Sequence, residues 1–210
     1  MLRPTAFVAL AASLPILAPG CAPTAGAVRP SSSTYVADWA PPVEVSHPPF
    51  TTGFHANWLQ TVGIAYAYIE VTGDYSRTGA HIPMLLDEVR RQGLEVAPTT
   101  SPFALFFDDP GRTEVRDLCS RVCIELLGQQ TVREPLALAT LPGGTAAHAC
   151  VSGPYPDAAR AYPLLFDYMR SMNWVRRGPI QEIYHVAPET VAGDYSRLIC
   201  EIVVPVRAGG

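Results

Sequence analysis

Val71-Thr72-Gly73-Asp74-Tyr75 and Val151-Ser152-Gly153-Pro154-Tyr155 stand 80 residues apart, and the likeness does not stop at their ends. At the same offset Pro83, Leu85, Asp87 and Arg90 fall on Pro163, Leu165, Asp167 and Arg170. Further along, Ser120-Arg121 and Glu125 fall on Ser196-Arg197 and Glu201, the offset having slipped to 76. One loop of different length produces such a slip, so the pattern reads as a structural unit built twice. The words Gly-Asp-Tyr-Ser-Arg at 73–77 and 193–197 are a decoy. Aligning them would set the start of a helix against the start of a strand, and the identity is read as chance.

Each copy carries the same order of local signals. Val62–Val71 is apolar, rich in Tyr, Ile and Val, and ends at Gly73, which predicts a strand. Ser76 is placed to cap a helix running to Gln92, with Leu85, Leu86 and Val89 at helical spacing and Gly93 as its stop. Pro83 should shorten or kink that helix, and Pro163 its counterpart. Phe103–Phe107 and Cys119–Leu127 read as strands around the turn Asp108-Asp109-Pro110-Gly111. The second copy gives a strand at Thr145–Ser152, a helix from about Pro156 to Met172, and strands at Ile180–Val186 and Arg197–Val204. Leu136–Leu141 and Thr145–Ser152 flank Gly143-Gly144, a hairpin signal. Val43–His47 is the weaker candidate for the matching strand of the first copy. The expected fold is therefore α+β: duplicated strand-helix-strand-strand units forming an antiparallel-rich sheet with two helices on one face. A pocket is expected at the seam between the halves.

Ahead of this lies a different kind of sequence. Arg3 is the only charge before an apolar run from Ala6 to Leu17, followed by Ala18-Pro19-Gly20-Cys21. A positive start, a short hydrophobic stretch and small residues predict an export signal over residues 1–20. Gly20-Cys21 resembles the end of a lipobox, with Cys21 as the lipidated residue; ordinary cleavage after Ala27 is the alternative. Residues 21–42, rich in Pro, Ala and Ser, read as a linker. The domain is expected over 43–207, with repeat one at about 62–127 and repeat two at about 136–206. The protein would then face the periplasm or the cell exterior, tethered to the membrane.

Composition narrows the chemistry. Hydrophobic residues make up 48% of the chain and charged residues 16%, which describes a folded core. A formal charge of -4 argues against a nucleic-acid partner. All 15 basic residues are Arg, which removes lysine Schiff bases and the phosphate-loop lysine. No metal-ligand spacing, G-x-S-x-G or dinucleotide fingerprint occurs, and no cofactor is expected.

Val151-Ser152-Gly153-Pro154-Tyr155 before a helix, Trp174 after it, and the closing Cys200-Glu201-Ile202-Val203-Val204-Pro205-Val206 together resemble a GyrI-like domain. In the first copy Phe106-Phe107-Asp108-Asp109-Pro110 and Leu118-Cys119-Ser120-Arg121 resemble a branch of the same family. The likeness covers about residues 62–206. It implies an effector-binding groove between the halves for small cationic or aromatic ligands, with the closing-strand Glu pointing into it. No helix-turn-helix precedes the domain in this sequence, so a sensing unit without transcriptional output is expected. Some relatives hydrolyse strained electrophiles, so a groove carboxylate activating water is a second reading, and a protein-interaction module with a closed seam a third.

Strand alternation then proposes the site. Leu198, Cys200 and Ile202 form an apolar set suited to the helices, which leaves Glu201 for the groove, with Glu125 at the mirrored position. A carboxylate among apolar neighbours needs a partner; a ligand cation is one candidate, and Arg121 or Arg197 the structural alternative. Tyr66, Tyr68, Trp174 and Tyr184 are the aromatic candidates, each cation–π contact being worth roughly 0.5–2 kcal/mol. His148 is a further candidate lining residue. Tyr75 and Tyr155, after a Gly at a strand-helix junction, read as structural. Cys119, Cys123, Cys150 and Cys200 permit disulfides, Cys150–Cys200 being the preferred pair, with four separate buried thiols as the other reading.

Overall fold

The computed structural model describes residues 56–210. The expected signal, the linker, Cys21 and the Val43–His47 strand lie outside the described residues. Among the described residues nine strands form one sheet: β1 (Ala56–Thr61), β2 (Ile64–Thr72), β3 (Phe103–Phe106), β4 (Cys119–Glu125), β5 (Ala137–Leu141), β6 (Gly144–Ser152), β7 (Trp174–Arg176), β8 (Ile180–Tyr184) and β9 (Ile199–Ala208). Two helices accompany them, α1 (Ile82–Gln92) and α2 (Tyr162–Ser171). The strand order is β1-β6-β9-β8-β3-β4-β2-β5, with β7 added against β9. Exchanging β1 with β5, β6 with β2, β9 with β4 and β8 with β3 gives the same order reversed. The repeat is thus a twofold in space, with its axis between β8 and β3, and every strand pair is antiparallel.

Both helices start later than the sequence suggests. Residues Tyr75–His81 and Tyr155–Ala161 are 3-10 turns, and α1 and α2 begin only at Ile82 and Tyr162. Pro83 and Pro163 account for this, because a residue without an N–H fits only the first turn of an α-helix. Ser76 is not the cap: its backbone N–H donates to the Asp74 carboxylate at 2.9 Å. Gly93 does end α1, with φ of 65°.

The hairpin expected at Gly143-Gly144 does not form. β5 pairs with β2, and β6 pairs with β1, a strand that the sequence reading missed. Gly143 serves a close approach instead. A Cβ there would lie 2.5 Å from the Thr61 carbonyl oxygen and 2.8 Å from the Gly63 nitrogen, so the β1–β2 and β5–β6 connections pass each other with room only for glycine.

Residues directly opposite in antiparallel strands share a face, and the register runs clear across the sheet. One row reads Ile69, Val122, Ala104, Glu182, Ile202, Ala149. This is the helix face: α2 buries Leu165 and Met169 against Ala149, Cys200, Ile202 and Val204, while α1 buries Leu85 and Val89 against Ala67, Val122 and Ile124. The neighbouring row reads Tyr68, Cys123, Phe103, Ile183, Glu201, Cys150 and faces away from the helices. There Leu59, Ile64, Tyr66, Phe103, Leu105 and Val203 pack into a second core. Cys150 and Cys200 therefore point to opposite faces and cannot bond; both are free thiols, as is Cys123, whereas Cys119 is disulfide-bonded, so the reading of four separate thiols does not hold either. No helix among the described residues is long and apolar enough to cross a membrane.

Candidate functional site

The two helices do not meet over the central pair of strands. Between them, on the helix face, a cleft of about 1500 Å³ opens above β3 and β8. Ile82, Pro83 and Leu86 of α1 form one wall, Tyr162, Phe166 and Met169 of α2 the other, and Phe106, Ile180, Glu182 and Tyr184 the floor. The seam pocket foreseen from the duplication exists, but it lies on the face of the helices.

Glu182 is the only charged member of its row. Its two oxygens are each engaged by a phenol: the Tyr162 hydroxyl donates to Oε1, and the Tyr184 hydroxyl donates to Oε2 at 2.9 Å. Rings surround it. Tyr184 packs at a tilt against Tyr155 at 4.8 Å between centroids, and Tyr162 against Phe166 at 5.9 Å. Burial raises the pKa of Glu182, and the two phenolic hydrogen bonds only partly oppose that. Burial also pushes both tyrosines upward, so they stay donors at neutral pH. The offset of 76 places Phe106 where Glu182 stands in the second copy, so the pseudo-symmetric floor carries its acid on one side only.

Glu201 is not in the cleft, contrary to expectation. The alternation of β9 was read correctly, since Cys200 and Ile202 do face the helices. The cleft opens on that helix face, opposite the one that Glu201 occupies. Glu201 is 7% exposed and lies between two imidazoles. His185 Nε2 is 2.8 Å from Oε2, and His148 Nε2 is 2.9 Å from Oε1. The His148 contact is an ion pair when the ring is protonated. Burial alone would raise the Glu201 carboxyl, but the two histidines overrule it and hold its pKa at about 2. The partner foreseen as Arg197 is thus replaced by His148 and His185.

The remaining candidates divide. Tyr184 lines the cleft. Glu125 is buried on the face away from the helices, opposite Tyr66 in register. Tyr66 is buried in the second core, and Tyr68 lies beneath the Arg121 guanidinium at 4.1 Å. Trp174 packs edge-on against Tyr168 and lines no part of the cleft. His148 serves Glu201. Tyr75 and Tyr155 do hold structure: the Tyr75 hydroxyl accepts from the Asp108 N–H at 2.9 Å, and that of Tyr155 donates to the Val186 carbonyl. Both also line the cleft. Glu182 was missed, although a signal existed: it alternates with Ile180 and Tyr184, so any face presenting Tyr184 must present it too. Among the described residues no group of three or more His, Cys, Asp or Glu side chains is placed to hold a metal.

Comparison with known proteins agrees with this architecture. The model of the GyrI-like small molecule binding domain matches residues 63–207. No curated protein matches the chain in sequence. Among solved structures, the EcmrR C-terminal domain is similar with a TM-score of 0.65 at 18% identity, covering 74% of this chain and 98% of that one. EcmrR in its complex with DNA is similar with the same score and identity, the match spanning 58% of that longer chain. An uncharacterized conserved protein from Listeria innocua scores 0.55 at 10% identity, covering 72% of this chain and 92% of that one.

Proposed function

Since the chain belongs to the GyrI-like small molecule binding domain family, we propose that its cleft takes a flat lipophilic cation and that Glu182 is the counter-charge. One observation carries this reading: a carboxylate, raised in pKa by burial, on the floor of a cleft with rings on its α2 wall and floor, in a sheet row otherwise free of charge, while Asp87, Arg90, Asp109, Arg112, Arg176 and Glu189 line the cleft from exposed positions. Such a carboxylate gains from a cation that brings its own apolar surface and has little hydration to lose. The two phenols orient the carboxylate, and the rings of Tyr155, Tyr184 and Phe166 offer faces to the ligand. Tetraphenylphosphonium is a suitable probe. Calorimetric titration should give one site per chain, while a neutral hydrocarbon of similar size should bind at least ~10-fold more weakly, a difference of about 1.4 kcal/mol. Equal affinity for both would end the counter-charge reading.

The same reading includes export and a lipid anchor at Cys21. Its support is the sequence Arg3, Ala6–Leu17 and Gly20-Cys21. In a bacterial host, radiolabelled palmitate should enter the wild type, and the Cys21→Ala chain should appear in the soluble fraction. Label retained in that variant would exclude the anchor.

A further inference from the structure

At one end of the cleft the β3–β8 ladder runs on beyond the strands themselves. Phe103 stands opposite Ile183, and the Tyr184 N–H donates to the Pro102 carbonyl at 3.0 Å. The next pair on that ladder is Ser101 with His185. Their side chains meet, with Ser101 Oγ 3.4 Å from His185 Nδ1. The other edge of the ring is committed, because His185 Nε2 lies 2.8 Å from Glu201 Oε2. An ionised carboxylate only accepts, so Nε2 carries the hydrogen; in the neutral ring this leaves Nδ1 as the bare acceptor, and it faces the hydroxyl. The Glu201 carboxylate is in turn held from its far side by His148. Ser101 and His185 both line the cleft, and the His185 side chain is 37% exposed.

We propose that Ser101 is a nucleophile, with His185 as its general base and Glu201 as the positioning residue, and that the cleft hydrolyses carboxylic esters. This rests on the reading that the cleft admits small molecules. Hydroxyl, imidazole and buried carboxylate in one chain form the arrangement that activates a serine wherever it occurs, whatever the fold. Ser101 Oγ attacks the ester carbonyl carbon as its proton passes to His185 Nδ1. The bond from that carbon to the alcohol oxygen then breaks, and the departing oxygen takes the proton from His185. Water attacks the acyl-serine, its proton going to His185 and then to Ser101 Oγ as the acid leaves. A contact of 3.4 Å is long for transfer, and such contacts shorten when substrate displaces water. Glu182 lies three residues from His185 along an extended chain, about 10 Å away, so the ester class favoured carries an apolar or cationic group at that reach.

The 210-residue chain should be treated with an alkyl fluorophosphonate, mapped by peptide mass spectrometry, and assayed with p-nitrophenyl butyrate. The expected result is one adduct, on Ser101, and turnover that falls at least ~100-fold in both Ser101→Ala and His185→Ala. In Glu201→Gln kcat should fall at least ~10-fold with KM little changed, because the carboxylate orients the base and touches no substrate; a residue of structural importance alone would not split kcat from KM in this way. No adduct on the wild type, or an adduct that persists in Ser101→Ala, overturns the proposal. Titration with tetraphenylphosphonium on the same samples separates the two readings. Cation binding without Ser101 chemistry sinks only this one, and Ser101 chemistry without cation binding sinks only the counter-charge.

Discussion

Glu182→Gln is expected to lower the affinity for tetraphenylphosphonium about thirtyfold or more, equivalent to about 2 kcal/mol, the lower end for losing one partner of a desolvated charge pair. The substitution keeps the shape of the side chain and its two phenolic neighbours, so the wall of the cleft should survive. Stability should move the other way or not at all. Burial raises the Glu182 pKa in the folded state, so the stability tied to this group is full below the ordinary carboxylate range and is lost as pH rises through the raised value. At neutral pH Gln removes that cost, and the variant should melt no lower than the wild type. For the same reason, wild-type affinity for the cation should climb as pH rises through that value, while the Glu182→Gln profile stays flat. Calorimetry across pH reads both. A variant that binds as tightly as the wild type would remove Glu182 from the site.

Glu201→Gln should do the reverse. It leaves two imidazoles around an uncharged amide, and a hydrogen bond to a charged group contributes about 1.5–3 kcal/mol. For a domain of this size that is a fall of roughly 5–10 °C in melting temperature. The cleft floor lies on the other face, so the cation should still bind. The acid limb carries the second signature. Glu201 has its folded pKa depressed to about 2 from an ordinary 4.5, so its contribution is present above the ordinary value and is lost as pH falls between the two. Wild type should lose melting temperature over that window, and Glu201→Gln should lose less. Melting scans by circular dichroism from pH 6 to 2 suffice. A variant as stable as the wild type would mean that the two histidines contribute nothing through this carboxylate.

These two acids also mark where the sequence stopped being sufficient. The duplication, the α+β class and one helix in each copy were determined by the chain alone, because periodicity and repeat offset are local properties that packing only reinforces. The alternation along β9 likewise separated Glu201 from Cys200 and Ile202 without any coordinates. Whether a cleft opens above or below the sheet is not written in one strand. It depends on α1 and α2 standing apart over β3 and β8, which follows from how two copies pack about their axis. The same holds for the exchange at Gly143, where strands far apart in sequence pair in preference to the nearby hairpin. His148, His185 and Glu201 come from three separate strands or their ends, and only the register brings these side chains within 3 Å. Periodicity determined which side chains share a face; tertiary packing decided which face carries the large cleft and which one holds Glu201 between its two histidines.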